Sequence, residues 1–283
     1  MFKHKGLKVN AEDAALPKNR KDLFLTVLKD DFYLLAEISL LLFLFSLPLA
    51  GAFAFEFVLL AGQSSVTAQK VFSICFYLAL AEIPLWGVRY IGRYAAFGVM
   101  KKRAHNEGGY VTELFFEFMK KGALRGFAIG AILGAVIFLW QIGCAFLLSV
   151  SDNSILKGLG IGGATVLFLI AYGAAENFLA GDVFYELSFL GCLKNSFVFC
   201  LAAFPVAALH FAINMGLPLI LTFVSYYSLI GVGLLWAFWA DGVSCFAATL
   251  YSHKLFDKYI NSVYYTDYIK KGLSREEKEK KNG

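Results

Sequence analysis

Charge is scarce in this 283-residue chain: Asp, Glu, Lys and Arg together make up 17% of it. Soluble globular domains carry about a quarter, so most of this sequence cannot build a water-facing surface. Paired cysteines are missing as well. Cys75, Cys144, Cys192, Cys200 and Cys245 are scattered with no C-x-x-C pair, which argues against a disulfide framework or a cysteine zinc site and leaves small apolar filler. No Walker sequence, HExxH or nucleophile elbow occurs. Gly158, Gly160 and Gly163 formally spell GxGxxG, but no strand precedes them and their surroundings are apolar, so a dinucleotide site is set aside. No cofactor, metal ion or nucleic-acid partner is expected.

Hydrocarbon is what the chain has in abundance. Hydrophobic residues make up 59% of it, in runs long enough to cross a bilayer, which takes about 20 apolar residues. The runs fall at about 35–61, 71–98, 123–149, 157–180, 195–215 and 225–251. This predicts an all-α, polytopic transmembrane helical bundle of about six spans over residues 35–252, between a basic segment 1–34 and a charged tail 253–283. Pro48 and Pro205 predict kinks. The break between spans five and six is expected at Asn214-Met215-Gly216-Leu217-Pro218. Five spans with a re-entrant segment is the alternative.

Lysine and arginine placement sets the orientation. Seven lie before residue 30 (Lys3, Lys5, Lys8, Lys18, Arg20, Lys21, Lys29), five in 99–122 and eight after His253, against only Lys70 and Lys157 in the opposite loops. Both termini are therefore expected in the cytoplasm of a bacterial cell, with an even number of spans. The first apolar run is too long for a signal peptide and lacks a cleavage site, so it is expected to stay as a span.

Between spans two and three, Val111, Leu114, Phe115, Phe118 and Met119 recur at helical spacing, opposite Glu113, Glu117, Lys120 and Lys121. This amphipathic pattern predicts an interfacial helix, Phe115 and Phe118 in the acyl boundary and Lys120 and Lys121 among anionic lipid headgroups. It serves either as an elbow seating the bundle or as a docking helix for a partner. Next to it, Gly122, Gly126, Gly130 and Gly134 share one face, and Gly158 and Gly162 open the fourth span. Small residues at that spacing let helices approach closely. The expectation is a tight hairpin of spans three and four, with a homodimer seam as alternative.

Ionisable residues inside spans are costly unless paired and mark function by default. Glu82, Arg89 and Asp241 are the candidates for an intramembrane polar cluster, either a path or cavity for solute or a structural ion pair, with Arg93 snorkelling to the interface. Glu37 and Glu176 are placed nearer the cytoplasmic ends and Glu56 near the outer end of span one. His210, four residues before Asn214, is expected to hydrogen-bond a partner instead of a metal. A faint echo pairs Glu113-Leu114-x-Phe116…Lys121 with Glu186-Leu187-x-Phe189…Lys194.

Four stretches carry a resemblance: Phe45-Ser46-Leu47-Pro48-Leu49; Tyr110-Val111 leading to Phe115-Phe116 and Lys120-Lys121; Lys194-Asn195-Ser196 leading to Phe204-Pro205; and Leu255-Phe256-Asp257-Lys258-Tyr259-Ile260. Over roughly 36–130 and 183–262 they resemble the YesL-like family of bacterial integral membrane proteins, which has no established biochemical activity. Members often accompany sugar-uptake systems. The resemblance implies a non-catalytic accessory or assembly role in carbohydrate transport, in contact with a transporter or sensor complex, and supplies no catalytic residues. A small secondary transporter with a polar path near Glu82, Arg89 and Asp241 is the alternative, and a lipid- or glycan-acting enzyme a third class.

Overall fold

A computed structural model describes residues 16–61, 68–150, 153–185, 187–216, 231 and 233–274. Helix α1 (Arg20–Asp30) is capped by Asn19, whose side chain accepts from the Asp22 backbone N–H. The long helices α2 (Phe32–Ala61), α3 (Ala68–Ala104), α4 (Val111–Val150) and α5 (Ser154–Phe184) follow, then α6 (Phe189–Ala202), α7 (Phe204–Phe211) and α8 (Asp241–Phe256). Wide π-turns extend α7 over Ala212–Gly216 and flank α8 at Trp236–Ala240 and Asp257–Asn261. Among the described residues no strand occurs, and the all-α bundle stands.

Four described helices are long and apolar enough to cross a membrane: Phe32–Phe55, Val111–Leu147, Ser154–Phe184 and Gly233–Tyr264. The expected second span, 71–98, lies within the unbroken α3. Pro48 sits inside the continuous α2. The expected fifth span, 195–215, is not one straight rod. Phe189–Ala202 and Phe204–Asn214 meet at 92°, at Ala203 (φ −130°, ψ 27°) with Pro205 in the first turn of α7. Proline lacks the N–H that a continuing helix needs and its ring clashes with the preceding turn, so α6 stops short of Pro205 and a new helix starts around it. The expected break at Asn214–Pro218 falls partly outside the described residues, as does the Glu56 side chain.

The region between spans two and three differs from its expectation. No separate interfacial helix lies there: α3 runs to Ala104, residues 105–110 turn the chain, and Val111–Lys121 are the opening turns of α4. The turn uses Asn106 (φ 57°) and Gly109 (φ 146°); Gly109 adopts the left-handed region that glycine tolerates. Phe115 is fully buried, 5.9 Å from the Phe45 ring, and the Phe118 ring covers Gly98 of α3. The apolar face is thus covered by protein, because α3 presents a glycine notch to it. Lys120 and Lys121 remain exposed.

The glycine row also finds a different partner. A Cβ on Gly126 would lie 2.8 Å from the Tyr90 carbonyl oxygen, and one on Gly130 would lie 2.5 Å from both the Trp86 carbonyl oxygen and the Tyr90 Cβ. Gly122 sits under Tyr94 and Gly134 against Ile83. The close seam therefore joins α4 to α3, not to α5. Gly158 and Gly162 face open space, and α4 meets α5 through Trp140, whose indole N–H donates to the Thr165 hydroxyl at 3.2 Å and whose ring stacks on Phe168.

Burial is lopsided. In α5 every residue from Tyr172 to Phe184 is buried, whereas Leu156, Leu159 and Leu167 are exposed. The core gathers where α1 and the segment after α8 close one end of the bundle: Arg103 pairs with Asp31 at 2.6 Å, Arg20 with Asp257 at 3.1 Å, and Lys271 with Glu107 at 2.9 Å. Arg103 is thus a buried tie between α3 and α1 and no headgroup ligand.

His105 is sealed inside this end, its ring 5.0 Å from that of His253. Burial, with Lys271 and Lys101 nearby, pushes its imidazole from 6.5 to about 3. Partial burial raises Glu107, but hydrogen bonds from Lys102 and Lys271 outweigh it and hold that carboxyl at about 2. Both groups bind protons in the unfolded chain before they do so in the fold. Stability contributed by His105 is therefore complete above pH 6.5 and drains away toward about 3, and that of Glu107 drains between 4.5 and about 2. By about pH 5 the His105 share alone is about 2 kcal/mol. The thermal midpoint of the detergent-solubilised protein is expected to fall between about pH 7.5 and 5, and to fall less, without flattening, in His105→Phe, where the buried His253 still stands. Equal slopes would remove His105 as the source.

Candidate functional site: an ionic centre and its cavity

Helix α3 places Trp86, Arg89, Tyr90 and Arg93 on one face by the i, i+3, i+4, i+7 rule. Two other helices bring carboxylates to it. Arg93 Nη2 lies 2.6 Å from Glu176 of α5, and Nη1 donates to Asp241 of α8 at 2.8 Å. Arg89 stands 3.8 Å from the same Asp241, its guanidinium 5.5 Å from the Trp86 ring. The Tyr90 hydroxyl donates to Glu176 at 3.1 Å. Two cations therefore face two anions, and the Arg93 side chain is 3% exposed.

Charge balance is what makes this burial tolerable. A lone ion in a low-dielectric interior costs several kcal/mol, and mutual attraction offsets that only with close geometry and further hydrogen bonds. Arg93 has the close geometry, the Tyr90 hydroxyl gives Glu176 a further hydrogen bond, and Arg93 joins α3, α5 and α8 at one point. The sequence-based candidates Arg89 and Asp241 do meet. Glu82 is buried as well, but stands two helical turns from Arg89, about 10 Å along the axis. Arg93 does not snorkel to an interface: it is the centre of the cluster. Glu176, placed by sequence near the cytoplasmic end, is its second anchor. The tally of span charges gave no signal for Glu176, since Glu82 and Asp241 already balance Arg89 and Arg93 in number.

A second tie lies six residues further along α5, about 9 Å on by helical rise. Asp182 accepts from the Tyr94 hydroxyl at 2.9 Å and pairs with Arg125 of α4, whose guanidinium also donates to the Leu187 carbonyl at 3.0 Å. Together the two ties fix α3, α4, α5 and α8.

Beside the ionic centre, α5, α7 and α8 enclose a cavity of about 170 Å³. Glu176, Asn177, His210, Tyr251 and Ser252 give it polar groups, and Val206, Leu209, Ile213, Ala247 and Ala248 make it chiefly apolar. His210 is oriented by Ser244, whose hydroxyl oxygen lies 3.2 Å from Nε2, while Asn214 donates to the His210 carbonyl at 2.9 Å. That matches the expected partner hydrogen bond. Among the described residues no group of three or more His, Cys, Asp or Glu side chains is placed to hold a metal ion.

No known family, curated protein or solved structure matches this chain.

Proposed function

We propose that this chain is a multi-pass protein of a bacterial cytoplasmic membrane that handles a small solute, with the Arg89–Arg93–Glu176–Asp241 centre as its gate. The observation that supports this reading is four opposed charges between three helices, with one of them, Glu176, shared with a cavity. Buried charges at membrane depth serve pathways by default. An ion-pair gate of this kind is closed as it stands, and separating α8 from α3 would open it.

The accessory role drawn from the YesL-like resemblance is the second reading: Phe115 is packed inside the protein, but Phe116, Glu117, Lys120 and Lys121 of the same segment remain exposed to a partner. The same resemblance points to sugars as the first solutes to test. Uptake of radiolabelled solute into proteoliposomes is expected with one or more of a panel of mono- and disaccharides. The charge-neutral pair Arg89→Gln with Asp241→Asn is expected to lower the uptake rate by at least about tenfold, ~1.4 kcal/mol on the barrier, with the thermal midpoint preserved. No uptake of any member of the panel, or an unchanged rate in the double variant, overturns the gate.

A further inference from the structure

The cavity has properties the ionic centre does not require. Its rim residues Val206, Leu209 and Ile213 are 40%, 59% and 50% exposed, although they also line it. On a helix of a membrane-spanning bundle such apolar surface meets lipid, so the mouth opens sideways into the bilayer and not to water. Its size, about 170 Å³, falls short of the roughly 300 Å³ at which drug-sized sites begin. It is close to the ~150 Å³ apolar cavity that admits benzene.

The polar groups inside are few and partly idle. Asn177 is 6% exposed, and its Oδ1 accepts from Ser252 at 3.3 Å. Its Nδ2 has no partner among the described residues, and the Tyr251 hydroxyl hydrogen-bonds to no described residue either. Asn177 also borders a void of about 10 Å³ beneath α6, at the lower limit for one water. Tyr251 is only half-buried, so the two donors line the cavity without being sealed in protein, and donors placed so are normally answered by water or ligand. Charge narrows the ligand further. Arg89 and Arg93 are already cancelled by Glu176 and Asp241, so a charged guest would bring an uncompensated ion into a low-dielectric site.

We infer that this is a lateral binding site for an uncharged, membrane-dissolved molecule of the alcohol or ketone class. One hydrogen-bond-accepting oxygen is held by Asn177 and Tyr251, and an apolar body about the size of one six-membered ring fills the space against Ala247 and Ala248. Any longer tail leaves between α7 and α8 into the lipid. The site stands on its own observations, whether or not the ionic centre passes solute.

The test uses the full chain in phosphatidylcholine–phosphatidylglycerol vesicles, photolabelled with a diazirine-bearing octanol and mapped by peptide mass spectrometry. No solute gradient is applied, so this result and the uptake measurements fail independently. Saturable labelling within 247–252 or at Glu176 or His210 is expected, competed by 1-octanol. Ala248→Leu, which fills the space, is expected to abolish it, with Ala247→Leu in its place should that chain not fold. Tyr251→Phe is expected to raise the half-saturating concentration by about threefold to tenfold, the worth of one hydrogen bond. Labelling that does not saturate, that spreads evenly over Leu209 and Ile213, or that persists unchanged in the filled variants overturns the site.

Discussion

Arg93→Met is expected to leave little folded protein. Its guanidinium is the one group among the described residues that touches both Glu176 and Asp241, at 2.6 and 2.8 Å. Removing one partner of a buried ion pair costs about 3–5 kcal/mol, because the charge left behind cannot be rehydrated. Whole domains have only about 5–15 kcal/mol to lose. The more telling variant is Arg93→Met with Glu176→Gln. It leaves Arg89 facing Asp241, so the centre stays neutral, and much of the lost stability is expected to return. The measurement is the monodisperse yield and thermal midpoint in mild detergent for both chains. A single variant as stable as the parent would show that the cluster does not hold the bundle. A double variant no better than the single would show that Arg93 matters for packing and not for charge.

The second large effect contrasts glycines that look alike in sequence. Gly130→Ala places its methyl carbon 2.5 Å from backbone of α3, and a carbonyl cannot swing aside as a side-chain tip can. Separating the helices to make room is expected to cost about 1–3 kcal/mol. Gly158→Ala or Gly162→Ala, with nothing within 4 Å, removes only the conformational freedom of glycine and is expected to stabilise by up to ~1 kcal/mol. Thermal midpoints of the three chains give the comparison. Equal losses at Gly130 and Gly162 would place the seam somewhere other than between α3 and α4.

These glycines also show what a sequence discloses and what it withholds. Spacing by four identifies a face made for close approach, but it describes one helix and says nothing of which neighbour fills the groove. Both α3 and α5 adjoin α4 through short connections, and it is α3 that fills the groove. The Phe115–Lys121 pattern has the same limit. An apolar stripe reads alike whether lipid or protein covers it, and here Gly98 receives Phe118. Helix class and span lengths were legible because bilayer thickness imposes a length on any apolar run; the expected 35–61 and the observed Phe32–Ala61 nearly coincide. The turn near Pro205 was legible because proline acts locally. The ionic centre was half legible. Arg89 and Asp241 stand out as charges in hydrocarbon, but the partnership of Arg93 with Glu176 joins residues 83 apart in sequence, and periodicity carries no information across that distance.

The wide turn at Trp236–Ala240 ends immediately before Asp241. A π-turn accommodates one residue more than the α-helix around it, and each residue advances an α-helix by about 100°. The phase of everything downstream is therefore set by that surplus residue. Asp241 reaches Arg93, and Asp257 reaches Arg20 some four turns later, because the same offset serves both. Losing one amino acid from this bulge would swing both carboxylates off their arginines together, leaving every other side chain chemically intact. The ionic centre and the Arg20–Asp257 clasp are thus keyed to a single insertion.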